Sequence, residues 1–474
     1  MLFSSLEFIF LFMLVTLPLY FLCPLRWRNV VLLAVSLLFY GWGEPIYMFL
    51  MAATIAIDYL FGMLVEKNLS DKRRAKRYVV AAVVINLALL GFFKYSDFVI
   101  NNLRLIPGLD FLKPLGLGLP IGISFYTFQA LSYVIDVYRA DARAQKNIVN
   151  FGAYVTLFPQ LIAGPIVRYK DVDDQLCQRS HSVLLAASGV RTFVAGMCKK
   201  VLLANAAGEI WSYFAKLPEG ELTVVGSWVG IICYSFQLYF DFSGYSDMAI
   251  GLGKIFGFRF LENFNYPYIA SSITDFWRRW HISLSGWFRE YVYIPLGGNR
   301  CSVARNYLNL AVVWLLTGIW HGANWNFILW GVYYAVLLMI EKAFLGKLLA
   351  KLPRAFSHIY ALFFIIIGWL IFVFDGSEAH LTLSHGMSYL STMFGGGGAA
   401  FINGADVWDI ARNAVLLGIM TFAALPVGRK AFWRAYEKHR AVHYVSAAAC
   451  VIMLAVCIAY LVDSSFNPFL YFRF

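Results

Sequence analysis

Residues 314–331 read WLLTGIWHGANWNFILWG. The stretch is almost wholly aromatic and aliphatic, yet His321 stands in its middle. A run this apolar suits a helix at membrane depth, where an ionisable side chain is costly and marks a pathway, a partner or a site. A histidine in an apolar run is more often a structural hydrogen-bonder than a catalyst, so its surroundings have to decide the role.

The composition supports the membrane reading. Of 474 residues, 60% are hydrophobic and 14% charged, and the mean hydropathy is +0.66. Soluble domains carry roughly 25% charged residues. The aromatic content of 18% suits buried cores and membrane interfaces. The net charge of +12 fits basic residues collected in short cytoplasmic loops. No basic recognition module accompanies it, so nucleic acid is excluded as a partner and membrane lipid is expected. The seven cysteines include no C-x-x-C pair, which argues against a disulfide framework or a zinc knuckle.

Apolar runs recur from end to end, at residues 2–22, 30–42, 45–65, 78–93, 115–137, 151–167, 183–203, 224–240, 307–319, 325–340, 356–374, 414–427 and 444–462. Several are too short to cross a bilayer untilted. The expectation is an all-α polytopic membrane protein with about eleven spans plus re-entrant or interfacial helices. Arg26 and Arg28 follow the first run, Glu44 follows the second, and the basic KNLSDKRRAKR loop at 67–77 follows the third. If both basic loops are cytoplasmic, the N-terminus lies outside. No linker divides the chain, so residues 1–474 read as one membrane domain. GGGG at 395–398 reads as a flexible loop.

Residues 241–300 break the apolar pattern. DFSGYSD at 241–247 sets Asp241, Tyr245 and Asp247 between apolar runs, which favours a cavity lining over an interfacial loop. DFWRRWHISLSGWFREYVYIPLGGNR at 275–300 interleaves charge with aromatic rings, as a helix at the interface or beside a wet cavity does. Arg278 and Arg279 are able to fork onto a phosphate or carboxylate. Lipid headgroups, or an internal pair with Asp275, would account for them equally well. Trp277, Trp280 and Ser285 share this stretch with His281. No metal-ligand spacing links His281 to His321. The H-x-x-x-x-D pattern of many soluble acyltransferases is absent, the fifth residues on being Gly286 and Asn326. No G-x-S-x-G elbow or phosphate-binding glycine loop occurs.

Several motifs in order nevertheless resemble the membrane-bound O-acyltransferase family, in the bacterial branch that serves alginate, peptidoglycan and other exopolysaccharides. They are MLFSSLEFIFLFM at the start, LPIGISFYTFQALSYVIDVYR at 119–139, FPQLIAGPIVRY at 158–169, QLYFDFSGYSDMAIGLG at 237–253, the 275–300 stretch, IWHGANW at 319–325 and NPFLYFRF at 467–474. The resemblance implies tilted helices around a re-entrant core with a tunnel. It implies that His321 is the essential histidine and that His281 lines the same route. It further implies acetyl-CoA as a cytoplasmic donor substrate, with no bound cofactor or metal. The acetyl group would pass outward across the bacterial inner membrane, by way of a periplasmic partner with a Ser-His-Asp, SGNH-hydrolase-like site, to an extracytoplasmic polysaccharide.

The chemistry is consistent. The accepting hydroxyl must lose its proton as it attacks the thioester, and a buried, neutral imidazole is a suitable base. Asn324, or an amide near Gly322, is placed to donate to the developing oxyanion. An acyl-imidazole on His321 is an equal alternative. Asp241, Tyr245, Asp247, Trp277, Arg278, Arg279, Trp280, Ser285 and Asn324 are the expected substrate-binding residues. Competing functions are D-alanyl transfer to teichoic acid from a carrier protein, a polytopic transporter, and a scaffold subunit.

Overall fold

The computed structural model describes all residues except 163, 219, 379, 464–469 and 471–474. The closing NPFLYFRF motif, Leu470 apart, lies outside the described residues, as does one residue of the 158–169 motif. The described elements are all helices.

Five helices are long and apolar enough to cross a membrane: Tyr47–Lys67, Lys72–Leu103, Trp325–Leu349, Arg354–Val373 and Arg440–Asp463. Gly404–Ala423 and Val427–Lys438, bent by 64° at their junction, make a sixth if they form one span. The sequence reading expects about eleven, and the difference has local causes. Residues 115–121 are not helical. The Asp97 carboxylate takes the N–H groups of Leu115 and Gly116 at 2.6 and 3.1 Å, and the helix starts only at Ile123, after Gly122 at φ 74°. A side chain at Gly122 would place its Cβ 2.7 Å from the Leu161 carbonyl oxygen, so glycine is needed there for space as well as for backbone sign. Residues 151–167 divide into Ile148–Thr156 and the single turn Phe158–Leu161, which opens on Pro159. Helix Val224–Ile255 is long enough, but Gln237, Asp241, Ser243, Ser246 and Asp247 run through its middle. The DFSGYSD stretch is therefore continuous helix and not a loop. The GGGG stretch is a tight turn, with Gly395, Gly397 and Gly398 all in the left-handed region.

The chain forms two compact units. One comprises Met1–Phe193 and Tyr245–Leu261, the other Val194–Gly244 and Glu262–Phe474. In the first, Asp71 caps helix Lys72–Leu103 by accepting from the Arg73 and Arg74 amides, so the turn between the two spans is only residues 68–71, and the basic residues 72–77 of the expected loop are the start of the second helix. Within that pair the buried Asn86 donates to the buried Asp58 at 2.8 Å. In the second unit, helices Val303–His321 and Trp325–Ile340 form a close hairpin. Their backbones meet at glycine: a Cβ on Gly318 would lie 2.3 Å from the Phe327 carbonyl oxygen, and one on Gly331 2.5 Å from that of Trp314. Small residues at such a crossing let dispersion act between backbones where lipid removes the hydrophobic drive. Helix Arg440–Asp463 is only 6% buried, as a lipid-facing span is.

Candidate active site

His321 is the last residue of its helix. Gly322 then turns the backbone to an extended conformation, and the Phe327 ring fills the space a Cβ there would need, at 2.2 Å. The next helix starts three residues on. Asn324 caps it, accepting from the Trp325 amide at 2.6 Å, and donates its side-chain N–H to the Asp375 carbonyl. Asn326 donates to the Phe372 carbonyl at 3.0 Å. Asn326 thus binds an open carbonyl at the end of helix Arg354–Val373, and Asn324 binds the chain two residues past that end. The sharp turn is held on three sides, and His321 with it. Its ring is enclosed by Trp320, Trp330 and Phe372 at centroid distances of 5.0, 5.0 and 5.3 Å, and the residue is 8% exposed.

His281 is placed differently. It sits between two short helices, Ile273–Trp277 and Ile282–Phe288, at φ 45° and ψ 55°. Histidine tolerates the left-handed region better than most side chains, but the conformation still costs on the order of 1 kcal/mol and must be held by its surroundings. The holding group is the 263–265 segment. Ile282 N–H donates to the Asn263 carbonyl and Asn265 N–H to the Arg279 carbonyl, each at 2.9 Å. The imidazole Nδ1 lies 3.1 Å from Asn263 Oδ1. The Nε2 atom is buried and has no hydrogen-bond partner among the described residues.

The two imidazoles share a wall. The Trp320 ring is 6.1 Å from His281 and 5.0 Å from His321, so one indole faces both. Phe242 closes on His281 at 4.7 Å. Trp277 packs against Trp314, Trp330 and Tyr334 at 4.6, 5.4 and 4.9 Å. Trp280 packs on Phe264 and Trp369 at 5.0 and 4.7 Å. Rings from residues 242, 264, 277–280, 314–334 and 369–372 thereby form one aromatic cluster that contains both histidines. A weakly polar, water-poor setting of this kind strengthens any hydrogen bond or charge that forms inside it.

The other expected residues divide. Ser285 is half-buried, its hydroxyl 3.4 Å from the Trp277 carbonyl. The arginines diverge: Arg279 is committed to Asp275 at 2.9 Å, the internal pair that the sequence leaves open, whereas Arg278 is exposed. Asp241 is buried against Lys200 Nζ at 2.8 Å and accepts from the Leu470 amide at 2.9 Å. Tyr245 and Asp247 belong to the other compact unit, where Tyr245 stacks on Phe3 with ring centroids 4.5 Å apart.

Three contributors escape the sequence reading. Asn263 and Ser283 surround His281. Glu341, 5% exposed, accepts from the amides of Ile273 and Thr274 at 2.6 and 2.9 Å and from the Thr274 hydroxyl at 2.6 Å, capping the helix that carries Trp277. A carboxylate at a helix N-terminus satisfies its open donors and its dipole together. The single signal available for Glu341 is a charge closing an apolar run.

The family model described as "MBOAT, membrane-bound O-acyltransferase family" matches residues 139–379, a stretch that includes both histidines. The chain is 39% identical over 505 aligned residues to a protein of Azotobacter vinelandii named "Probable alginate O-acetylase AlgI", with all of both chains covered. It is 45% identical to the Pseudomonas aeruginosa protein of the same name, over 78% of this chain and 72% of that one. It is 34% identical to the "Peptidoglycan O-acetyltransferase" of Helicobacter pylori, over 82% of this chain and 80% of that one.

Proposed function

The chain belongs to the membrane-bound O-acyltransferase family and is a multi-pass membrane O-acyltransferase, and we propose that it passes acetyl groups outward for O-acetylation of an extracytoplasmic polysaccharide. The donor is acetyl-CoA on the cytoplasmic side of the bacterial inner membrane. The acceptor is reached through a periplasmic partner with an SGNH-hydrolase-like site. Residues 1–474 act as one functional domain, with the N-terminus outside, the orientation that the basic 67–77 stretch supports. The observation that carries the reading is the pair of buried imidazoles, His281 and His321, facing one indole inside an aromatic cluster. Neither a transporter nor a scaffold gives a reason for it. Acetyl transfer is favoured over D-alanyl transfer because relatives aligned along most or all of this chain carry O-acetylase and O-acetyltransferase names.

In this reading the acceptor hydroxyl oxygen attacks the acetyl carbonyl carbon. The His321 imidazole takes the hydroxyl proton as the C–O bond forms. The C–S bond then breaks, and the thiolate of CoA leaves with that proton. Trp277, Trp280 and Ser285 shape the acyl passage, Asn324 holds the turn beside His321, and the exposed Arg278 meets the anionic donor. Asp241 and Arg279 support the walls.

The test is O-acetyl content of envelope polysaccharides in a deletion strain complemented with wild type, His321→Ala or His281→Ala at matched protein level. We expect wild type to restore acetylation and His321→Ala to leave it at the deletion level. Full restoration by His321→Ala would remove the catalytic reading and move the weight to transport or scaffolding.

A further inference from the structure

Asn263 has no place in the chemistry so far, yet three groups of the His281 surroundings face its side-chain oxygen. It receives the Ser283 amide at 3.2 Å and the Ser283 hydroxyl at 2.9 Å, and it faces His281 Nδ1 at 3.1 Å. A backbone amide can only donate. The atom facing Ser283 N–H must therefore be the amide oxygen, because the flipped side chain would set N–H against N–H. With the oxygen fixed, Nδ1 must carry the proton, since a bare ring nitrogen would put lone pair against lone pair. A neutral imidazole has one N–H, so Nε2 is the bare nitrogen. That nitrogen is buried in a residue 1% exposed and has no hydrogen-bond partner among the described residues. An unsatisfied buried acceptor is destabilising, a penalty that a donor arriving with substrate would remove.

We infer that Asn263 is a positioning residue of the acyl-transfer site: it locks His281 in the Nδ1–H form and so presents Nε2 as the acceptor for the hydrogen of an entering hydroxyl group. The inference rests on the reading of His281 as part of that site. The left-handed backbone at His281 serves the same end, because it turns Nδ1 back onto the preceding 263–265 segment. The Asn263 carbonyl fixes the adjoining Ile282 amide at 2.9 Å, so main chain and side chain of one residue hold the ring. His321 sits at a helix end walled by rings and takes the transferred proton. The reacting hydroxyl has a single hydrogen, so His281 Nε2 accepts from a neighbouring hydroxyl of the same substrate and orients the reacting one through it.

The experiment uses the full chain in lipid nanodiscs with ring-labelled histidine, read by 15N and 13C magnetic resonance. The His281 signal is identified by its loss in His281→Gln. We expect the Nδ1–H form in wild type, its retention in Asn263→Asp, and a mixture of forms in Asn263→Ala. In parallel, transfer by Asn263→Ala should fall by about 100-fold in kcat with little change in KM, and Asn263→Asp should restore much of it. A purely structural role would lower yield and melting temperature without moving the tautomer. An Nε2–H form in wild type, or an unchanged tautomer in Asn263→Ala, would overturn the inference whatever the activity. Full transfer by His281→Gln would overturn the role of Nε2 and count against the site reading itself.

Discussion

Gly318→Ala should disable the site without touching a reacting group. Gly318 lies one helical turn before His321, and an added Cβ would sit 2.3 Å from the Phe327 carbonyl oxygen and 3.2 Å from the Gly331 Cα. Ordinary contact begins near 3.4 Å, so the helix hairpin must open by about 1 Å. Neither obstacle is a flexible side-chain tip: both are backbone, and Gly331 itself approaches the Trp314 carbonyl within 2.5 Å of a would-be Cβ. Opening the hairpin drags Phe327 off Phe372, with which it now pairs at 5.1 Å, and Phe372 is one wall of His321. Overpacking of this size costs about 1–3 kcal/mol in stability, and a misplacement of about 1 Å at a reacting centre costs about 100-fold in rate. The assay is O-acetyl content in the complemented strain, with protein level and detergent melting temperature measured beside it. Gly418→Ala is the control, since a Cβ there meets nothing within 4 Å. Wild-type acetylation and melting by Gly318→Ala would refute the claim that this crossing sets the His321 position.

Two further outcomes follow from charges near the ends and middle of the chain. Asp241→Asn should remove the carboxylate beside the buried Lys200 ammonium and destabilise the fold by about 3–5 kcal/mol, whereas Lys200→Met with Asp241→Leu should melt near wild type; if that double variant also transfers acetyl, Asp241 holds structure and not substrate, and a stable but inactive double variant would reverse the assignment. His181, in the loop after residue 178, is held below the usual imidazole range, first by burial and then by the Arg28 and Arg179 guanidinium groups. The folded chain therefore binds fewer protons there than the unfolded chain, so this stabilisation is present above pH about 6.5 and is lost as pH falls. Melting at pH 7.5 and 5.5 should show a larger acid loss in wild type than in His181→Gln; equal losses would contradict it.

Membrane class and the helical architecture were legible, and the two histidines proposed for the site stood out, because each leaves a local mark. Apolar runs, an imidazole inside WLLTGIWHGANW and charge among aromatics at 275–300 all fall within single windows of sequence. What was not legible depends on pairs distant in the chain. Asn263 meets His281 across eighteen positions, and no periodicity brings them together; left-handed backbone at Tyr266 and His281 does. Lys200 reads as an intrusion in an apolar run until Asp241 is seen beside it. The span at 115–137 was overdrawn because hydropathy does not register Asp97 holding the Leu115 and Gly116 amides out of helix. Arg278 and Arg279 look equivalent as a pair, and only the Asp275 carboxylate one turn back separates them.

The opening histidine poses a physical problem that the structure resolves through backbone and not through charge. Both imidazoles lie among rings, where an ion would be expensive and a neutral base is not. A neutral base in such a place works only if its direction is fixed, because no Coulombic pull corrects a misaligned ring. The chain meets that requirement at each histidine by a different device. His321 is fixed by glycine crossings before it and by Asn324 and Asn326 pinning the turn after it. His281 is fixed by a left-handed residue and by Asn263. Glu341 extends the same logic by capping the short helix that leads into His281. Strain and tight backbone contact therefore collect around the two imidazoles, the preorganisation that the proposed acyl-transfer role would call for.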